Sequence, residues 1–204
     1  MFTGLIEEVG EVLTFEQVPG GARLVVAAPM GASVRQGDSV AVNGVCLTVV
    51  EQNDHAMAFE LGPATLQTTA LGTLAPGAAV NLEQAMRADA RVGGHFVLGH
   101  VDGVGTVVDL RPEADFTWMS IRFPRSLAAG FIPKGSVAVD GVSLTIATLG
   151  DDQFEVQLIP HTLAATTLRH LRPGAAVNLE CDVIGKYVNR AVSLAMARPA
   201  VSHP

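Results

Sequence analysis

The sequence predicts an all-β fold in which a unit of about six short strands occurs twice, each as a small antiparallel barrel or sandwich, followed by an α-helix. Three observations predict it. The octapeptide PGAAVNLE occurs at residues 76–83 and again at residues 173–180. Runs rich in Val, Leu, Ile and Thr recur about every ten residues between Gly, Pro, Asn and Asp turns. After the second unit the apolar residues change to helical spacing.

The repeat extends well beyond the octapeptide. Residues 61–83 match residues 158–180 at 15 of 23 positions, with an offset of 97. Near the amino end the offset is 95, and Gly4 aligns with Gly99. A period of this length that occurs twice indicates a duplicated domain, because solenoids contain at least three shorter repeats.

Each predicted strand is an apolar run that ends at a turn such as PGG at 19–21 or QND at 52–54. The segment Ala64–Leu71 follows a proline and predicts one or two helical turns, with His161–Leu168 as its counterpart in the second unit. The strands of the first unit are predicted near residues 9–17, 22–28, 38–42, 45–51, 56–61 and 79–85.

The tail is predicted to be an amphipathic α-helix that ends at Pro199. Nothing equivalent follows the first unit, so this helix needs a surface that covers its apolar face. Another subunit is the preferred surface, and the chain's own barrel is the alternative. The expected domains are therefore residues 1–97, residues 98–185 and a tail of residues 186–204. The apolar positions at helical spacing are Ile184, Tyr187, Val188, Ala191, Leu194 and Ala195.

Composition argues against several classes of protein. A net charge of −7 without a basic cluster argues against nucleic acid as a partner. The chain contains no apolar run long enough for a membrane span, and its acidic amino end does not fit a targeting segment. Cys46 and Cys181 are at non-equivalent positions of the repeat, so we expect no disulfide and a reduced cytoplasmic setting. Without metal-ligand spacing or a phosphate-binding glycine loop, we expect neither a metal nor a cofactor.

One strand of each unit carries small polar side chains on the face opposite its apolar residues. Because side chains alternate across a strand, Cys46 and Thr48 share one face in the first unit, and Ser143 and Thr145 share it in the second. Small hydrogen-bonding groups beside a strand leave room for a flat ligand and can orient its polar edge. The alternative is an ordinary strand that faces solvent.

The two units differ where reactive groups occur. Two matching pockets would bind two similar ligands, and chemistry that treats those ligands differently requires pockets with different groups. Structural alternatives stay open: a helix cap for Asp182 and for the recurring Thr65 and Thr162, and turn positions for Lys134 and His100. The equivalent positions at which the two units differ, each with the residue of the first unit given first, are Cys46 and Ser143, Gly37 and Lys134, Ala85 and Asp182, and Leu5 and His100.

Four motifs occur in a fixed order along the chain. They are MFTG at 1–4, the duplicated N/D-G-V-C/S-L-T, GGHFVLGHVDG at 93–103 and DVIGKYV at 182–188. Through these motifs the chain resembles the riboflavin synthase family of the alpha-chain type, and the resemblance extends to about residue 198.

The resemblance implies two tandem six-stranded Greek-key barrels with short helical turns and a C-terminal α-helix. Each barrel would bind one 6,7-dimethyl-8-ribityllumazine. One lumazine would donate a four-carbon unit to the other, giving riboflavin and 5-amino-6-(D-ribitylamino)uracil without a metal or cofactor. A lumazine or flavin carrier that performs no chemistry is the alternative.

The resemblance also implies a cytoplasmic homotrimer held together by the C-terminal helices. Each site would hold two lumazines between the N-terminal barrel of one subunit and the C-terminal barrel of its neighbour. The resemblance also suggests a further partner, lumazine synthase, which is the enzyme that makes the lumazine.

Carried over by position, His100 is the expected base. Ser143 and Thr145 are expected to relay its proton or to orient the ligand. Asp182 is expected to steer the ligand, and Cys46, water or a ribityl hydroxyl is the expected nucleophile. The expected substrate-binding residues are Phe2, Gly4, Leu5, Ile6, Ser39, Cys46, Leu47, Thr48, Glu60, Gly62, Thr65, Gly99, His100, Val101, Lys134, Ser143, Leu144, Thr145, Gln157, Ile159, Pro160 and Thr162.

Overall fold

The computed structural model describes residues 1–197. Within them the chain forms two closed six-stranded antiparallel barrels followed by an α-helix. The predicted fold class is confirmed. The end of the predicted tail, residues 198–204 with the expected stop at Pro199, lies outside the described residues.

The strands of the first barrel follow the order β1-β2-β5-β4-β3-β6, and β6 pairs with β1 to close it. Strands β3, β4 and β5 form consecutive hairpins, and β6 returns beside β3, which is a Greek key. The predicted strands are correct to within about two residues at each end. Their bounds are Glu8–Val18 for β1, Gly21–Ala27 for β2, Ser39–Val42 for β3, Val45–Asn53 for β4, Ala56–Leu61 for β5 and Ala79–Gln84 for β6.

The second barrel repeats the topology of the first, in the order β7-β8-β11-β10-β9-β12 around the barrel. Its strands are Gly103–Glu113 for β7, Phe116–Arg122 for β8, Ser136–Val139 for β9, Val142–Leu149 for β10, Gln153–Leu158 for β11 and Ala176–Cys181 for β12.

Each barrel has its own apolar core, because alternate residues of each strand face inward. In β2, Ala22, Leu24 and Val26 are buried and alternate with half-buried neighbours. Full burial of a side chain such as Leu24 or Phe59 contributes about 1.5–3 kcal/mol.

A short α-helix and a 3₁₀ turn link the fifth and sixth strands of each barrel. The first helix, α1, spans Pro63–Thr68, with Gly62 at the N-cap position and proline in the first turn. Thr65 therefore lies inside the helix, so its interpretation as an N-cap is wrong, and the same holds for Thr162. The threonines that do cap are Thr69 and Thr166, whose hydroxyls accept hydrogen bonds from Leu71 N and Leu168 N at the starts of the 3₁₀ turns. The second helix, α2, spans Pro160–Ala165, and the 3₁₀ turns span Ala70–Thr73 and Thr167–His170.

The C-terminal helix, α3, spans Val183–Met196. Asp182 is its N-cap, and one carboxylate oxygen accepts a hydrogen bond from Ile184 N at 2.9 Å. Two side chains tie α3 to the second barrel: Lys186 forms an ion pair with Asp102 at 2.7 Å, and Asn189 donates to the carbonyl of Ala129 at 2.6 Å.

The apolar face of α3 remains open to solvent. Tyr187 is 76% exposed and Ile184 is 62% exposed, and Val188, Val192 and Leu194 are more than half exposed. The alternative in which this helix buries its apolar face on its own barrel is therefore not what the chain adopts.

The two barrels meet across a pseudo-twofold axis that relates the repeats. The side-chain amide of Asn81 donates to the carbonyl of Asp140 at 2.9 Å, and that of Asn178 donates to the carbonyl of Asn43 at 2.8 Å. The backbones of Gly44 in the first barrel and Gly141 in the second lie very close together. A Cβ on Gly44 would lie 2.5 Å from the amide nitrogen of Gly141. Only glycine fits such a contact.

Candidate functional site

Each repeat sends its first loop onto the barrel of the other repeat. Phe2 and Val97 exchange two backbone hydrogen bonds at the axis, of 2.7 and 3.1 Å, and the chain crosses over there. Beyond this bridge, Ile6 packs against the core of the second barrel, whereas Val101 packs against the core of the first.

Backbone hydrogen bonds hold both crossed loops against the strand that carries the predicted polar residues. Ser143 N donates to the carbonyl of Gly4 at 2.8 Å, and Cys46 N donates to the carbonyl of Gly99 at 2.9 Å. Both glycines have positive φ, +74° and +77°, and each would place a Cβ 2.6 Å from the Cβ of the residue beneath it. Glycine is therefore required at both positions for two independent reasons.

The crossing divides the predicted residues into two grooves. We call the strand segment Cys46–Thr48 with the loop Gly99–Val101 the first groove. The segment Ser143–Thr145 with the loop Gly4–Ile6 is the second groove. Within one chain, His100 therefore lies in the first groove and Ser143 in the second, so the predicted base and its predicted relay do not share a groove.

Side chains in the grooves alternate as the sequence predicts. Val45, Leu47 and Val49 are buried, whereas Cys46 is half-buried and Thr48 is exposed. In the second barrel Val142 and Ile146 are buried and Leu144 is half-buried, whereas Ser143 is half-buried and Thr145 is exposed. The remaining predicted positions belong to the same two barrels: Ser39 lies opposite Thr48 in the pairing of β3 with β4, Glu60 is on β5, and Gly62 and Thr65 begin α1. Gln157 is on β11, and Ile159, Pro160 and Thr162 begin α2.

A buried glutamate holds each crossed loop in place. Glu180 accepts backbone hydrogen bonds from Leu98, Gly99 and His100 at 2.7–3.0 Å. Glu83 does the same for Thr3 and Gly4 in the other loop. Burial raises the pKa of both carboxyls, and the hydrogen bonds oppose this shift. Sequence reasoning did not single out these glutamates, although each is the last residue of a PGAAVNLE repeat.

His95 is a third residue that sequence reasoning did not assign. Its Nδ1 lies 2.7 Å from the hydroxyl of Ser143, and its backbone N donates to the carbonyl of Thr3 at 3.1 Å. Burial lowers the pKa of His95, and the nearby charge of Asp182 opposes this shift. This histidine belongs to the motif GGHFVLGHVDG, so the sequence marks its position. The sequence does not show that Ser143 is the residue it contacts.

Lys134 adopts a backbone conformation that favours glycine. Its φ is +63°, and its first-repeat counterpart is Gly37 with a φ of +93°. The exposed Lys134 ammonium donates to the carbonyl of Ala147 at 3.2 Å. A non-glycine residue in this region costs about 1–2 kcal/mol, and such strain often marks a functional position.

Phe2 is fully buried between the barrels with Ala41, Val97 and Ala138, so its ring has no surface open to either groove. A cavity of about 360 Å³ borders the loop of the second groove, with Thr3, Leu5 and Glu83 in its lining. Another of about 460 Å³ separates the barrels beside Asn43, and one of about 350 Å³ lies between α3 and the 3₁₀ turn Arg125–Gly130, with Asp182 in its lining. The strand segments Cys46–Thr48 and Ser143–Thr145 line none of these cavities.

Within residues 1–197, no group of three or more histidine, cysteine or acidic side chains is arranged to hold a metal ion. None of the helices in that range is both long and apolar enough to cross a membrane.

Two stretches of the chain, residues 3–85 and 98–182, match the lumazine binding domain family. These stretches correspond to the two barrels. The chain is also 47% identical over 195 residues to the riboflavin synthase of Mycobacterium tuberculosis, covering 93% of this chain and 97% of that protein. The chain belongs to the riboflavin synthase family.

Other relatives agree with this assignment. The riboflavin synthase of Bacillus amyloliquefaciens is 42% identical over 191 residues, which cover 93% of this chain and 89% of that protein. A solved structure of LumP complexed with riboflavin superposes with a TM-score of 0.83 at 28% identity, covering 89% of this chain and 99% of LumP. LumP complexed with 6,7-dimethyl-8-(1'-D-ribityl) lumazine gives a TM-score of 0.81 at 26% identity, over 88% of this chain and 98% of LumP.

Proposed function

We propose that this chain is a riboflavin synthase, a transferase of riboflavin biosynthesis that dismutates two molecules of 6,7-dimethyl-8-ribityllumazine. One lumazine gives up a four-carbon unit and leaves as 5-amino-6-(D-ribitylamino)uracil, and the other becomes riboflavin. Membership of the riboflavin synthase family over 93% of the chain carries this proposal. The two grooves, similar in backbone and different in reactive groups, support it.

The grooves provide the asymmetry that this reaction needs. Both present a strand of small polar residues under a glycine-containing loop, which suits two copies of one flat ring. Both grooves carry a threonine hydroxyl, at Thr48 and Thr145. The first groove adds a thiol at Cys46 and an imidazole at His100, whereas the second adds the hydroxyl of Ser143 and, nearby, the ammonium of Lys134. One lumazine can therefore lose a proton from its acidic 7-methyl group while the other accepts a nucleophile.

In this proposal each complete site spans two subunits. His100 and Ser143 lie in different grooves of one chain, so a base and a relay can meet only if the first groove of one subunit faces the second groove of its neighbour. Leu5 in the loop of the second groove and Ile159 at the start of α2 are exposed apolar side chains, consistent with surfaces that a neighbour covers. Holding two rings face to face can contribute about 7–11 kcal/mol to catalysis.

We assign roles on this basis. His100 is the base that removes the methyl proton, with Thr145 and Ser143 of the facing groove orienting the ring. Asp182 caps α3 and can also steer the ribityl chain, since one carboxylate can serve both purposes. Cys46, water or a ribityl hydroxyl is the nucleophile. Lys134 binds the ligand of the second groove.

The open apolar face of α3 supports a homotrimer assembled through this helix. We further propose a cytoplasmic location, because Cys46 and Cys181 form no disulfide. Association with lumazine synthase is a separate prediction. Co-elution of the two enzymes in size-exclusion chromatography would test the association.

Turnover on the single substrate tests the proposed function. Purified protein incubated with the lumazine alone should release riboflavin and the pyrimidine in equal amounts, measured by chromatography with fluorescence detection. The second candidate is a carrier, because LumP, which has this fold, is known in complexes with lumazine and riboflavin. A carrier would form a stable complex and no riboflavin, and that outcome would refute the enzyme.

A further inference from the structure

We propose that Lys186 is a positioning residue that ties α3 to the loop of the first groove. Through this tie, the helix proposed for assembly also holds the backbone of His100. The inference rests on the proposed function, and it adds a residue that belongs to neither groove.

The ammonium of Lys186 contacts this part of the chain at two points. It lies 2.7 Å from a carboxylate oxygen of Asp102, and it donates to the carbonyl of His100 at 3.4 Å. Lysine has three N–H donors, so both contacts can form at once. The two side chains of the ion pair are only 29% and 25% exposed, and the same Asp102 oxygen accepts a hydrogen bond from Cys181 N at 2.8 Å. This pair is therefore more enclosed than a surface ion pair, which contributes little to stability.

Lys186 and Glu180 hold opposite sides of the same loop. Glu180 accepts from three successive backbone amides, those of residues 98–100, whereas Lys186 donates to the carbonyl of His100. Burial raises the pKa of Glu180, and its backbone hydrogen bonds and the charge of Lys186 oppose this shift. The lysine thus holds the loop directly and also favours the ionised glutamate, the form that accepts hydrogen bonds most strongly.

The first repeat has the same carboxylates without such a cation. Glu7 aligns with Asp102 at the offset of 95, and its carboxylate accepts from Gln84 N at 3.2 Å, which is the counterpart of the bond to Cys181 N. Among residues 1–197, Glu7 forms no ion pair. The segment 85–94 that follows β6 is not helical, whereas α3 follows β12. The anchor therefore holds the loop that carries His100 and has no equivalent at the loop of the second groove.

Two variants separate positioning from stability. Lys186→Met removes the ammonium and leaves Asp102 without its cation, so it should be destabilising. The double variant Lys186→Met with Asp102→Asn removes both charges, and asparagine can still accept from Cys181 N. We expect Lys186→Met to lower kcat about fivefold with KM changed less than about twofold. The double variant should regain stability and keep the low kcat, because the contact with the carbonyl of His100 is lost in both.

Asn189→Ala is the matched control. Asn189 also ties α3 to the second barrel, but it does so away from the loop, at the carbonyl of Ala129. This variant should leave kcat within about twofold of the wild type. A kcat that recovers together with stability in the double variant, or an equal loss of kcat in Asn189→Ala, would show that Lys186 only holds the helix and would overturn the proposal. Failure of the wild-type protein to make riboflavin would instead refute the proposed function, so the two failures are distinguishable.

Hydrogen exchange keeps the proposal testable if Lys186→Met weakens the assembly. The amides of residues 98–101 should exchange about fivefold faster in Lys186→Met, whereas those of residues 4–6 should be unchanged, because the lysine holds only the first of these loops. Mass spectrometry of the full chain measures both loops in the same molecule. Loss of a neighbouring subunit would affect both grooves, so an equal acceleration of the two loops, or no change in either, would overturn the proposal.

Discussion

Cys46 N donates a hydrogen bond to the carbonyl of Gly99, 2.9 Å away, although the two residues belong to different repeats. The equivalent bond joins Ser143 N to the carbonyl of Gly4 at 2.8 Å. These two bonds place a loop of each repeat over the polar strand of the other. Both candidate grooves therefore depend on the packing of the two barrels against each other.

Gly99→Ala should destabilise the protein by roughly 2–4 kcal/mol, because it adds left-handed backbone strain to a clash with Cys46. Gly77→Ala is the matched control, since Gly77 has a φ of +86° but no atom lies within 4 Å of the position that its Cβ would take. It should lose only about 1 kcal/mol. Chemical denaturation measures both, and equal losses would contradict the close packing of the crossed loop.

Asp140→Asn should stabilise the protein above neutral pH. Burial raises the pKa of Asp140 from 3.8 to about 7, so the folded state keeps a proton that the unfolded state releases between these values. Stability is thus lost as pH rises through that window. Asparagine cannot ionise and can accept the same bond from Asn178 N, as Asn43 does from Asn81 N in the first repeat.

The expected gain for Asp140→Asn is roughly 1–4 kcal/mol at pH 8 and close to zero at about pH 4. The comparison variant Asn43→Asp introduces a carboxyl at the equivalent position of the first repeat, which is half-buried, and should be destabilising at pH 8 by less than Asp140→Asn stabilises. Urea unfolding at the two pH values measures the effect. A gain of the same size at both would exclude ionisation of Asp140 as the cause.

Lys134→Gly should separate stability from binding. Glycine adopts the φ of +63° without strain, so the variant should be as stable as the wild type or more stable, by up to about 1 kcal/mol. Loss of the ammonium should weaken lumazine binding in the second groove, measured by fluorescence titration. Lys134→Ala is the control, because it removes the ammonium and keeps the backbone strain. Unchanged affinity in both variants would remove Lys134 from the site.

Val188→Asp should dissociate the proposed trimer, because it places a charge in the open apolar face of α3. It leaves the contacts of Lys186 and Asn189 with the second barrel intact. Light scattering measures the mass, and Arg190→Ala on the polar side of the same helix is the control. A trimer that persists in Val188→Asp would show that α3 is not the assembly surface.

Cys46→Ser should lower turnover without abolishing it, if the thiol assists the reaction in the first groove and is not the obligate nucleophile. The hydroxyl is smaller and makes the first groove resemble the second more closely. Steady-state kinetics measures the change. Complete loss of turnover, with lumazine binding retained, would indicate a covalent role for Cys46.

The strands could be predicted from the sequence because their signal is local. The alternation of Val45 to Val49 and the turns between runs set both the strand bounds and the side of each strand that faces the core. The repeat then transferred each assignment to the second barrel. The N-cap alternative for Thr65 is wrong, because the helix begins at Pro63 and Gly62 occupies the N-cap position.

By itself the sequence determined the duplication, the strands, the polar face of each groove and the pairs of positions at which the repeats differ, since these depend on neighbours along the chain. Tertiary structure alone decided that the first loops cross between barrels, that Glu83 and Glu180 hold them, and that His95 contacts Ser143. These contacts join residues that are about 50 to 140 positions apart or at the pseudo-twofold axis, and their geometry follows from how two closed barrels pack, which no local pattern encodes.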